Sequence, residues 1–453
     1  MSATELENLH LADLRALASE HGIADFRLLR RRALIDALQE SDTDELEALE
    51  GDEPDEQDDL GGEVLDDLDE EEFEEEEPED EDVVVEGTLL EGEGEERQEA
   101  RERPSDDERP TEQVRGVLEL TRQRYGFLRL AGLTPEPDDV YISAAQVRRC
   151  ELRPGDEVAG PARSPRRGER HRALVHVDSV NGEEPVEDGR PSFDELAPIL
   201  PERRVPLDTA HDDVLVRAVD LLAPLALGQR VLVRAAPRSG RTTLLRGIAR
   251  AASAADAHVV VLLIDERPEE ATAWRESMPS AEFAIATADF APVEQVRIAE
   301  LALERSRRLA ESGNDAVLVC DSLSRLAFAA GGVDEVKRLF GSGRNLAGGG
   351  SLTVVATVVD GAHDEGEAER AVITTESSLV SLDPDLAGLG VTPAIVPGGC
   401  RVSNEDALRD PAELDAVRRL RSLLADLAAR ESADYLRERI EGSGSNAELL
   451  RSV

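Results

Sequence analysis

The sequence predicts a multidomain protein: a small N-terminal helical domain, a β-barrel, and a C-terminal α/β domain with a mostly parallel sheet. Three observations predict this order. A long acidic stretch separates the first helices from the rest, several short alternating strands follow it, and buried apolar runs then alternate with amphipathic helices. The 453 residues are enough for about three domains of ~100–200 residues each.

Residues 1–45 predict the helical domain, because leucines recur there near helical spacing. Residues 46–112 predict a disordered linker, since positions 51–90 hold 22 Asp or Glu and no Lys or Arg. This linker either keeps the chain soluble or mimics nucleic acid and shields a basic site. The net charge of −48 is concentrated here and therefore does not exclude a nucleic-acid partner.

The chain carries no pattern typical of secretion, disulfide formation or membrane insertion. Cys150, Cys320 and Cys400 are far apart and lack metal-ligand spacing, which predicts a reducing compartment. The N-terminus lacks a basic-then-apolar leader, and no apolar run approaches ~18 residues. We therefore expect a cytoplasmic protein that has no membrane contact.

Residues 113–181 predict a small barrel of the oligonucleotide-binding kind, because several short strands fall within about 70 residues. Aromatic residues make up 3% of the chain, yet Tyr125, Phe127 and Tyr141 fall in this segment among arginines. Residues 125 and 127 lie on one face of a strand, where bases can stack while arginines follow the phosphates. The alternative is that these rings form the barrel core.

Residues 182–213 are rich in proline and predict a connector, after which residues 214–453 predict the α/β domain. The buried strands are "QRVLVRAAP", "HVVVLLID", "DAVLVCD" and "SLTVVATVV", and helices such as "TTLLRGIARAAS" alternate with them. Such alternation is typical of a parallel sheet covered on both faces.

The stretch "AAPRSGRTT" matches a phosphate-binding loop in position, between a strand and a helix, but departs from it in two residues. Ala235 replaces the first glycine and Arg241 replaces the lysine, while Gly240 and Thr242 are kept. Backbone N–H groups at the helix start would bind phosphate, and Thr242 could bind Mg²⁺.

Two other strands end in acidic residues. Glu266 follows "VVVLLID" and could activate a water molecule, and Asp321 ends "AVLVCD" and could hold Mg²⁺ through water. Each could instead be a helix-capping acid, but three such elements in this order favour a nucleotide site.

With these motifs, the chain resembles the Rho family of bacterial transcription termination factors, which are ring-forming RNA-dependent ATPases. The resemblance rests on "YGFLR", "DDVYIS", "GERHRALV", "LGQRVLVRAAPRSGRTTLL", "LIDERPEE", "CDSLSRLA", "FGSGRN" and "GGSLT". It implies a cold-shock-like RNA-binding barrel, a RecA-like ATPase core, ATP with Mg²⁺, and single-stranded RNA and RNA polymerase as partners. It also implies a homohexamer or a mixed ring with another Rho-family chain.

The resemblance also implies roles for individual residues. The RNA groove would be lined by Tyr125, Phe127, Arg129, Tyr141, Arg170 and His171, the last standing where the family usually has an aromatic ring. The nucleotide would contact Ala226, Leu227, Gly228, Gln229, Arg230, Val231, Arg238, Ser239, Gly240, Arg241, Thr242, Thr243 and Arg267. Catalysis would use Glu266 as base, Asp321 with Thr242 at Mg²⁺, Arg241, and Arg401 as arginine finger.

The chain departs from the family pattern mainly in its motor. Arg238 and Arg241 replace two lysines, and the second pore loop is acidic, with His363 at its lysine position. An alignment with a gap makes Arg401 the finger, whereas an ungapped one gives Ser403. Two hypotheses stay open: a working termination ATPase, and a catalytically impaired member acting as an RNA-binding or ring-assembly regulatory protein.

Overall fold

A computed structural model describes residues 111–166, 168–185, 189–208, 213–359 and 366–453. The predicted helical domain, nearly all of the predicted acidic linker, and His363 in the second pore loop lie outside these residues. In the described ranges, no helix is long and apolar enough to cross a membrane.

The first part of the described chain is a closed barrel. Strand β1 pairs with β2 and β4, β2 pairs with β3, and β5 joins β3 to β4, which closes a circle of five strands. The elements are β1 (Thr111–Leu120), β2 (Gly126–Arg129), β3 (Val140–Ile142), α1 (Ala144–Arg149), β4 (Glu157–Arg163), β5 (Arg172–Leu174) and, beside β4, β6 (Ser179–Val180).

Alternation along the barrel strands separates the core from the outer rings. Leu118, Leu128, Val140 and Ile142 fill the barrel core, whereas Phe127 is half-buried on the other face. This follows from the period of two along a strand, which sends neighbouring side chains to opposite faces. The alternative that the rings form the core is therefore wrong.

The segment predicted as a plain connector contributes a strand of its own. Residues Pro198–Ile199 form β7, which pairs antiparallel with β12 of the α/β domain. The sequence did not predict this strand, because two residues are too few to show an alternating pattern among the surrounding prolines. The connector is thus attached to the sheet edge.

In the described residues, nine strands form the sheet of the α/β domain. Its order is β10-β9-β11-β13-β8-β14-β15, with parallel pairing as far as β14, and β12 and β7 attached beside β13. The strands are β8 (Arg230–Ala235), β9 (His258–Glu266), β10 (Glu282–Thr287), β11 (Asp315–Asp321), β12 (Arg344–Leu346), β13 (Ser351–Val359), β14 (Ser378–Ser381) and β15 (Arg401–Val402).

Helices cover both faces of this sheet, and apolar side chains from each sheet face form two buried clusters. The predicted mostly parallel, doubly covered sheet is confirmed. The helices are α2 (Val214–Leu222), α3 (Arg241–Ala254), α4 (Pro268–Ser277), α5 (Pro292–Glu311), α6 (Leu323–Ala330), α7 (Asp334–Gly341), α8 (Glu367–Val372), α9 (Pro384–Gly388), α10 (Glu405–Leu408), α11 (Pro411–Ala425), α12 (Ala429–Glu441) and α13 (Asn446–Arg451).

The barrel rests directly on helix α5 and strand β10 of the α/β domain. Arg305 of α5 is buried and binds Glu282 of β10 at 2.7 Å and Glu157 of the barrel at 3.1 Å. Gly155 brings the barrel backbone against α5, because a Cβ atom there would lie 2.4 Å from the carbonyl carbon of Glu304. The buried guanidinium of Arg305, which pairs with both domains, therefore lies next to the close contact between the Gly155 backbone and α5.

Replacing Gly155 by alanine tests this docking. The overpacked contact is expected to lower the free energy of unfolding by about 1–3 kcal/mol more than Gly182→Ala does. Gly182 is a matched control, because its φ of 86° resembles the 83° of Gly155 while nothing lies within 4 Å of its added Cβ. Urea denaturation of both variants measures the difference, and equal destabilisation would contradict the tight docking.

Candidate nucleotide and RNA sites

The loop between β8 and α3 has the backbone shape of a phosphate cradle. Arg238 has φ of 64° and Gly240 has φ of 89°, and left-handed residues of this kind are typical of loops that bind anions through backbone N–H groups. Ser239 is fully buried, and its hydroxyl donates to the Ala236 carbonyl at 2.8 Å. This hydrogen bond stabilises the turn of the loop. The loop shape is thus retained although Ala235 replaces the first glycine.

Helix α3 begins at this loop with its first N–H groups available. Gly240 is the N-cap, and no side chain caps it in the described part of the chain. The N–H groups of Arg241, Thr242 and Thr243 therefore have no intrahelical acceptor, and the positive end of the helix dipole lies there. An anion such as a nucleotide phosphate suits this position.

Two acidic side chains stand beside the loop because their strands are neighbours. Glu266 ends β9 and Asp321 ends β11, and these strands pair in parallel. Arg241 reaches both acids: its Nε lies 3.0 Å from Asp321 Oδ2 and its Nη2 lies 3.6 Å from Glu266 Oε2. The structure therefore brings Arg241, Glu266 and Asp321 into one cluster.

A fourth residue of this cluster, Arg325, was missed by sequence reasoning. It lies in the first turn of α6, and its Nη1 donates to Glu266 Oε2 at 2.6 Å and to the Ile264 carbonyl at 3.2 Å. Its position four residues after Asp321 in "CDSLSRLA" was the available signal. Arg325 holds the Glu266 carboxylate in place at the end of β9.

The environment moves the pKa values of the two acids in opposite directions. Burial alone would raise the pKa of Glu266, but hydrogen bonds from Arg325 and from the Arg267 backbone, with the charge of Arg241, hold it below its usual range. Burial raises the pKa of Asp321, although the Arg241 and Arg325 guanidiniums oppose this. Glu266 is therefore held as a carboxylate beside the loop.

The remaining loop residues lie at the rim. Arg238 and Thr243 are exposed, and Thr242 is half-buried at the start of α3. Arg267 is the N-cap of α4 with 76% of its side chain exposed, 4.0 Å from Glu266. Arg238, Thr243 and Arg267 are therefore open to solvent.

The segment 226–231 lies outside this cluster, and its contact with a nucleotide stays a prediction. It leads into the amino end of β8, whereas the loop follows the carboxyl end, about 17 Å away along six strand residues. Its residues are committed to packing: the Gln229 side chain accepts from the Ala226 N–H at 2.9 Å, and the Gly228 N–H donates to Thr353 at 2.8 Å.

Arg401 also lies away from the loop of its own chain. It stands in β15, two strands from β8 and level with Leu232. Its guanidinium pairs with the buried carboxylate of Glu376, and 57% of the side chain is exposed. The structure therefore does not place Arg401 in the catalytic cluster, and a role for it would need a neighbouring chain.

The barrel carries a cluster of aromatic rings on its outer face. Phe127 faces Tyr141 across β2 and β3, with ring centroids 6.1 Å apart, and Tyr125 lies 6.0 Å from Phe127. His171 packs edge-on against Phe127 at 5.0 Å. Half-buried rings in this arrangement offer stacking surfaces for bases.

Arg129 is part of the same surface and is fixed by two acids. It lies over the Phe127 ring at 5.7 Å, and it is hydrogen-bonded to Glu119 and Asp139. Sequence reasoning missed both acids, because no local pattern links either of them to Arg129. Arg170, the remaining predicted groove residue, is exposed just before His171.

Replacing Arg325 by glutamine is expected to lower the free energy of unfolding by about 1–3 kcal/mol at neutral pH, because the buried Glu266 loses the closer of its two guanidinium partners. Since the folded-state pKa of Glu266 is lowered, the stability from this pair is present above the unfolded pKa and lost as pH falls through the folded pKa. The difference from the unmodified protein should therefore shrink below about pH 4.3.

Chemical denaturation at several pH values measures this effect. Arg338→Gln is the control, because Arg338 is 42% exposed and pairs with Glu300 and Glu335. An exposed pair of this kind contributes about 0–1 kcal/mol. A destabilisation by Arg325→Gln that does not change with pH would contradict the assignment.

Comparison with known proteins matches both parts of the described chain. Residues 114–186 match the family model of the "Rho termination factor, RNA-binding domain". Residues 216–339 match the model of the "ATP synthase alpha/beta family, nucleotide-binding domain". The two matches cover the barrel with its rings and the loop with its acids.

Transcription termination factors Rho from several bacteria are similar over most of the chain. That of Streptomyces lividans is 37% identical over 75% of this chain and 51% of its own length. Those of Bacillus subtilis (36% identical) and Streptosporangium roseum (37%) are matched over 84% and 94% of their own lengths, and over 74% and 78% of this chain. The chain thus spans about half of the Streptomyces lividans relative, and it belongs to the transcription termination factor Rho family.

Proposed function

We propose that the protein is an RNA-dependent ATPase that binds nascent single-stranded RNA and uses ATP hydrolysis to drive translocation and transcript release. The observation that carries the proposal is the cluster of Arg241, Glu266 and Asp321 beside an uncapped helix start, in one chain with a surface of half-buried rings. The cofactors are ATP and Mg²⁺.

Binding of RNA begins at the barrel. Bases stack on Tyr125, Phe127 and Tyr141, and the exposed arginines around the rings, including Arg170, bind phosphates. His171 can contribute a smaller ring and a polar edge where it meets Phe127. Fixed rings lose little conformational freedom on binding, which favours affinity.

The nucleotide phosphates bind the N–H groups at the start of α3. The residues suit Mg²⁺, because the Thr242 hydroxyl and the Asp321 carboxylate are hard oxygen donors and the fully buried Asp321 faces the loop. The ion, when bound, neutralises charge that develops on the phosphates. Glu266, held as a carboxylate, orients and deprotonates the attacking water.

In this scheme the Arg241 guanidinium has to bind two sets of groups in turn, the two carboxylates and the phosphates. Its guanidinium neutralises Asp321 and Glu266 at distances of 3.0 and 3.6 Å. To bind the phosphates it must turn toward them, which frees Asp321 for the ion. Arginine can donate two parallel hydrogen bonds to a phosphate. It therefore supplies the positive charge that lysine would supply, although its side chain is larger.

The partners follow from the family. We infer a homohexamer or a mixed ring with another Rho-family chain, RNA polymerase as the complex acted upon, and the cytoplasm as the location. Arg401 is then the candidate finger for a neighbouring subunit, since it lies far from the loop of its own chain.

A second candidate function is a catalytically impaired member that acts as an RNA-binding or ring-assembly regulatory protein. The observation that favours it is the ion pair of Arg241 with Asp321, in which the guanidinium uses the carboxylate proposed for Mg²⁺. If this pair does not open, nucleotide could bind without being hydrolysed.

Steady-state ATP hydrolysis, with and without cytosine-rich single-stranded RNA, separates the two functions. We expect RNA-stimulated turnover, and we expect Glu266→Gln to lower it by about 10²–10⁴, because the base for water is lost. Arg241→Lys should retain turnover, whereas Arg241→Ala should lose about 10²–10³.

Turnover indistinguishable from that of Glu266→Gln, with RNA still bound, would reject the motor and favour the second function. Recovery of turnover in Arg241→Lys alone would place the defect in the loop arginine.

RNA affinity tests the barrel separately. Phe127→Ala is expected to weaken binding of a short single-stranded RNA about 5- to 150-fold, because one stacked base is lost at ~1–3 kcal/mol. Phe328→Ala is the control, since this phenylalanine is 59% exposed on α6 of the α/β domain. Fluorescence anisotropy measures both, and an equal effect of the two changes would contradict ring stacking.

A further inference from the structure

A cavity of about 710 Å³ lies where the connector, helix α2 and the last helices of the α/β domain meet. The connector contributes Arg204 and Asp208, α2 contributes Asp220, α11 contributes Glu413, and α13 contributes Asn446. None of its lining residues belongs to the phosphate loop, the acidic cluster or the aromatic rings. We call it the C-terminal cavity, and its volume is within the range of ~300–1,000 Å³ that is typical of small-molecule sites.

Asp220 brings an unsatisfied carboxylate oxygen to the C-terminal cavity. The residue is 2% exposed, and its Oδ2 accepts from Arg204 Nη2 at 2.7 Å and from Asn446 Nδ2 at 2.9 Å. Its Oδ1 is also buried and has no hydrogen-bond partner in the described part of the chain. A buried carboxylate oxygen without a donor costs free energy, so this atom favours a ligand that can donate to it.

The two residues that bind Asp220 satisfy only its Oδ2 atom. Asn446 has no further amide proton to give, because its Nδ2 donates to the Arg217 carbonyl at 3.0 Å and to Asp220 Oδ2. Arg204 divides its guanidinium between Asp220 Oδ2 and Glu413 Oε1, each at 2.7 Å. The Oδ1 atom is thus left over by a network that is otherwise complete.

The less exposed part of the lining carries an excess of negative charge. Three of its residues are acids: Asp208, Asp220 and Glu413. Two guanidiniums compensate them, since Arg204 pairs with Asp220 and Glu413, and Arg409 pairs with Glu413. One negative charge remains, so a cationic N–H group suits Asp220 Oδ1 better than a neutral donor.

The exposed part of the lining has the opposite charge. Arg419 of α11 and Arg451 of α13 are exposed, and neither forms an ion pair with another residue that the structure describes. The exposed acid of the lining is Asp410, whose Oδ1 accepts from the Glu413 N–H at 2.8 Å as the cap of α11. Two guanidiniums against one carboxylate favour an anionic group of a ligand at this rim.

The remaining lining residues are apolar. They are Pro206, Ala412, Ala416, Ala447 and Leu450. Small side chains of this kind leave room for a short aliphatic chain. The cavity therefore suits a molecule that carries a cationic group and an anionic group joined by a few methylene groups.

We propose that the C-terminal cavity binds a small zwitterionic molecule of the amino-acid or short-peptide class. Its cationic N–H group donates to Asp220 Oδ1, and its carboxylate meets Arg419 and Arg451 at the rim. The site requires neither RNA nor ATP and is independent of the proposed function. A bound ligand joins the connector, α2, α11 and α13, so it stabilises the folded chain.

The probes that test the site are L-arginine, L-citrulline and agmatine, added to the full chain at constant ionic strength. L-citrulline has the shape of L-arginine without its side-chain charge, and agmatine lacks the carboxylate. Isothermal titration calorimetry is expected to show saturable binding of L-arginine and binding of L-citrulline that is weaker by about tenfold or more. Agmatine should bind about two- to fivefold more weakly than L-arginine, because an exposed ion pair is lost.

Two variants test whether the probe occupies this cavity rather than another acidic surface of the chain. Asp220→Asn keeps the size of the side chain and should weaken L-arginine by about tenfold or more. Because Asp220 also binds Arg204, Ala447→Phe is a second variant, which narrows the cavity from an exposed position on α13 without changing a charge. L-arginine binding that survives in both variants would overturn the proposal.

The rim is tested by Arg419→Gln combined with Arg451→Gln. This double variant should lower the affinity for L-arginine to that for agmatine, and it should not weaken agmatine. Arg418→Gln is the matched control, because Arg418 is the next residue of α11, is 65% exposed, and pairs with Asp415 outside the cavity. It should change neither affinity.

Three further results would overturn the proposal. They are no binding of any probe to the unmodified chain, equal affinity for L-arginine and L-citrulline, and equal effects of the rim variant and Arg418→Gln.

Discussion

Parallel pairing of the central strands is the constraint on which the rest of the structure depends. Because β8, β9 and β11 run in one direction, the phosphate loop, Glu266 and Asp321 reach the same sheet edge from positions far apart in sequence. The same direction sends the segment 226–231 to the opposite edge. Position along a parallel strand thus decides which polar residues can act together.

Arginine fills nearly every cationic position in this protein, and the sites reflect its shape. The chain has 51 Lys and Arg residues, of which Lys337 is the one lysine. Arg241 and Arg325 both reach Glu266, so one carboxylate is held by two guanidiniums. A planar cation with several N–H donors can bind two carboxylates at neighbouring strand ends, whereas a lysine acts as a single point charge. The cost is that Arg241 contacts the Glu266 and Asp321 carboxylates, which the proposed function also requires.

The docking of barrel and α/β domain joins the two sites physically. Arg305 is buried between Glu157 and Glu282, and Arg297 reaches Glu119 from the same helix. Helix α5 also packs beneath the sheet that carries Glu266 and Asp321. Helix α5 therefore contacts the barrel through Arg297 and Arg305 and the sheet through its apolar side chains.

The sequence by itself determined the barrel, the mostly parallel α/β sheet and the residues that could act chemically. Apolar runs of strand length predicted β8, β9, β11 and β13. The position of Gly240 between a strand and a helix, and those of Glu266 and Asp321 at strand ends, predicted one site, because these signals are local. Alternation also placed Tyr125 and Phe127 on one face. Such features depend on neighbours within a few residues.

Tertiary structure alone decided which partners meet. Arg325, Glu119 and Arg297 carry no local signal, because each acquires its role from a side chain at least ten residues away in sequence. The displacement of 226–231 and Arg401 from the loop likewise followed from strand direction and sheet order, which one segment does not encode. Local sequence pattern determines the helices and strands. Long-range strand pairing and burial determine the site, because only the folded chain sets the distances between its residues.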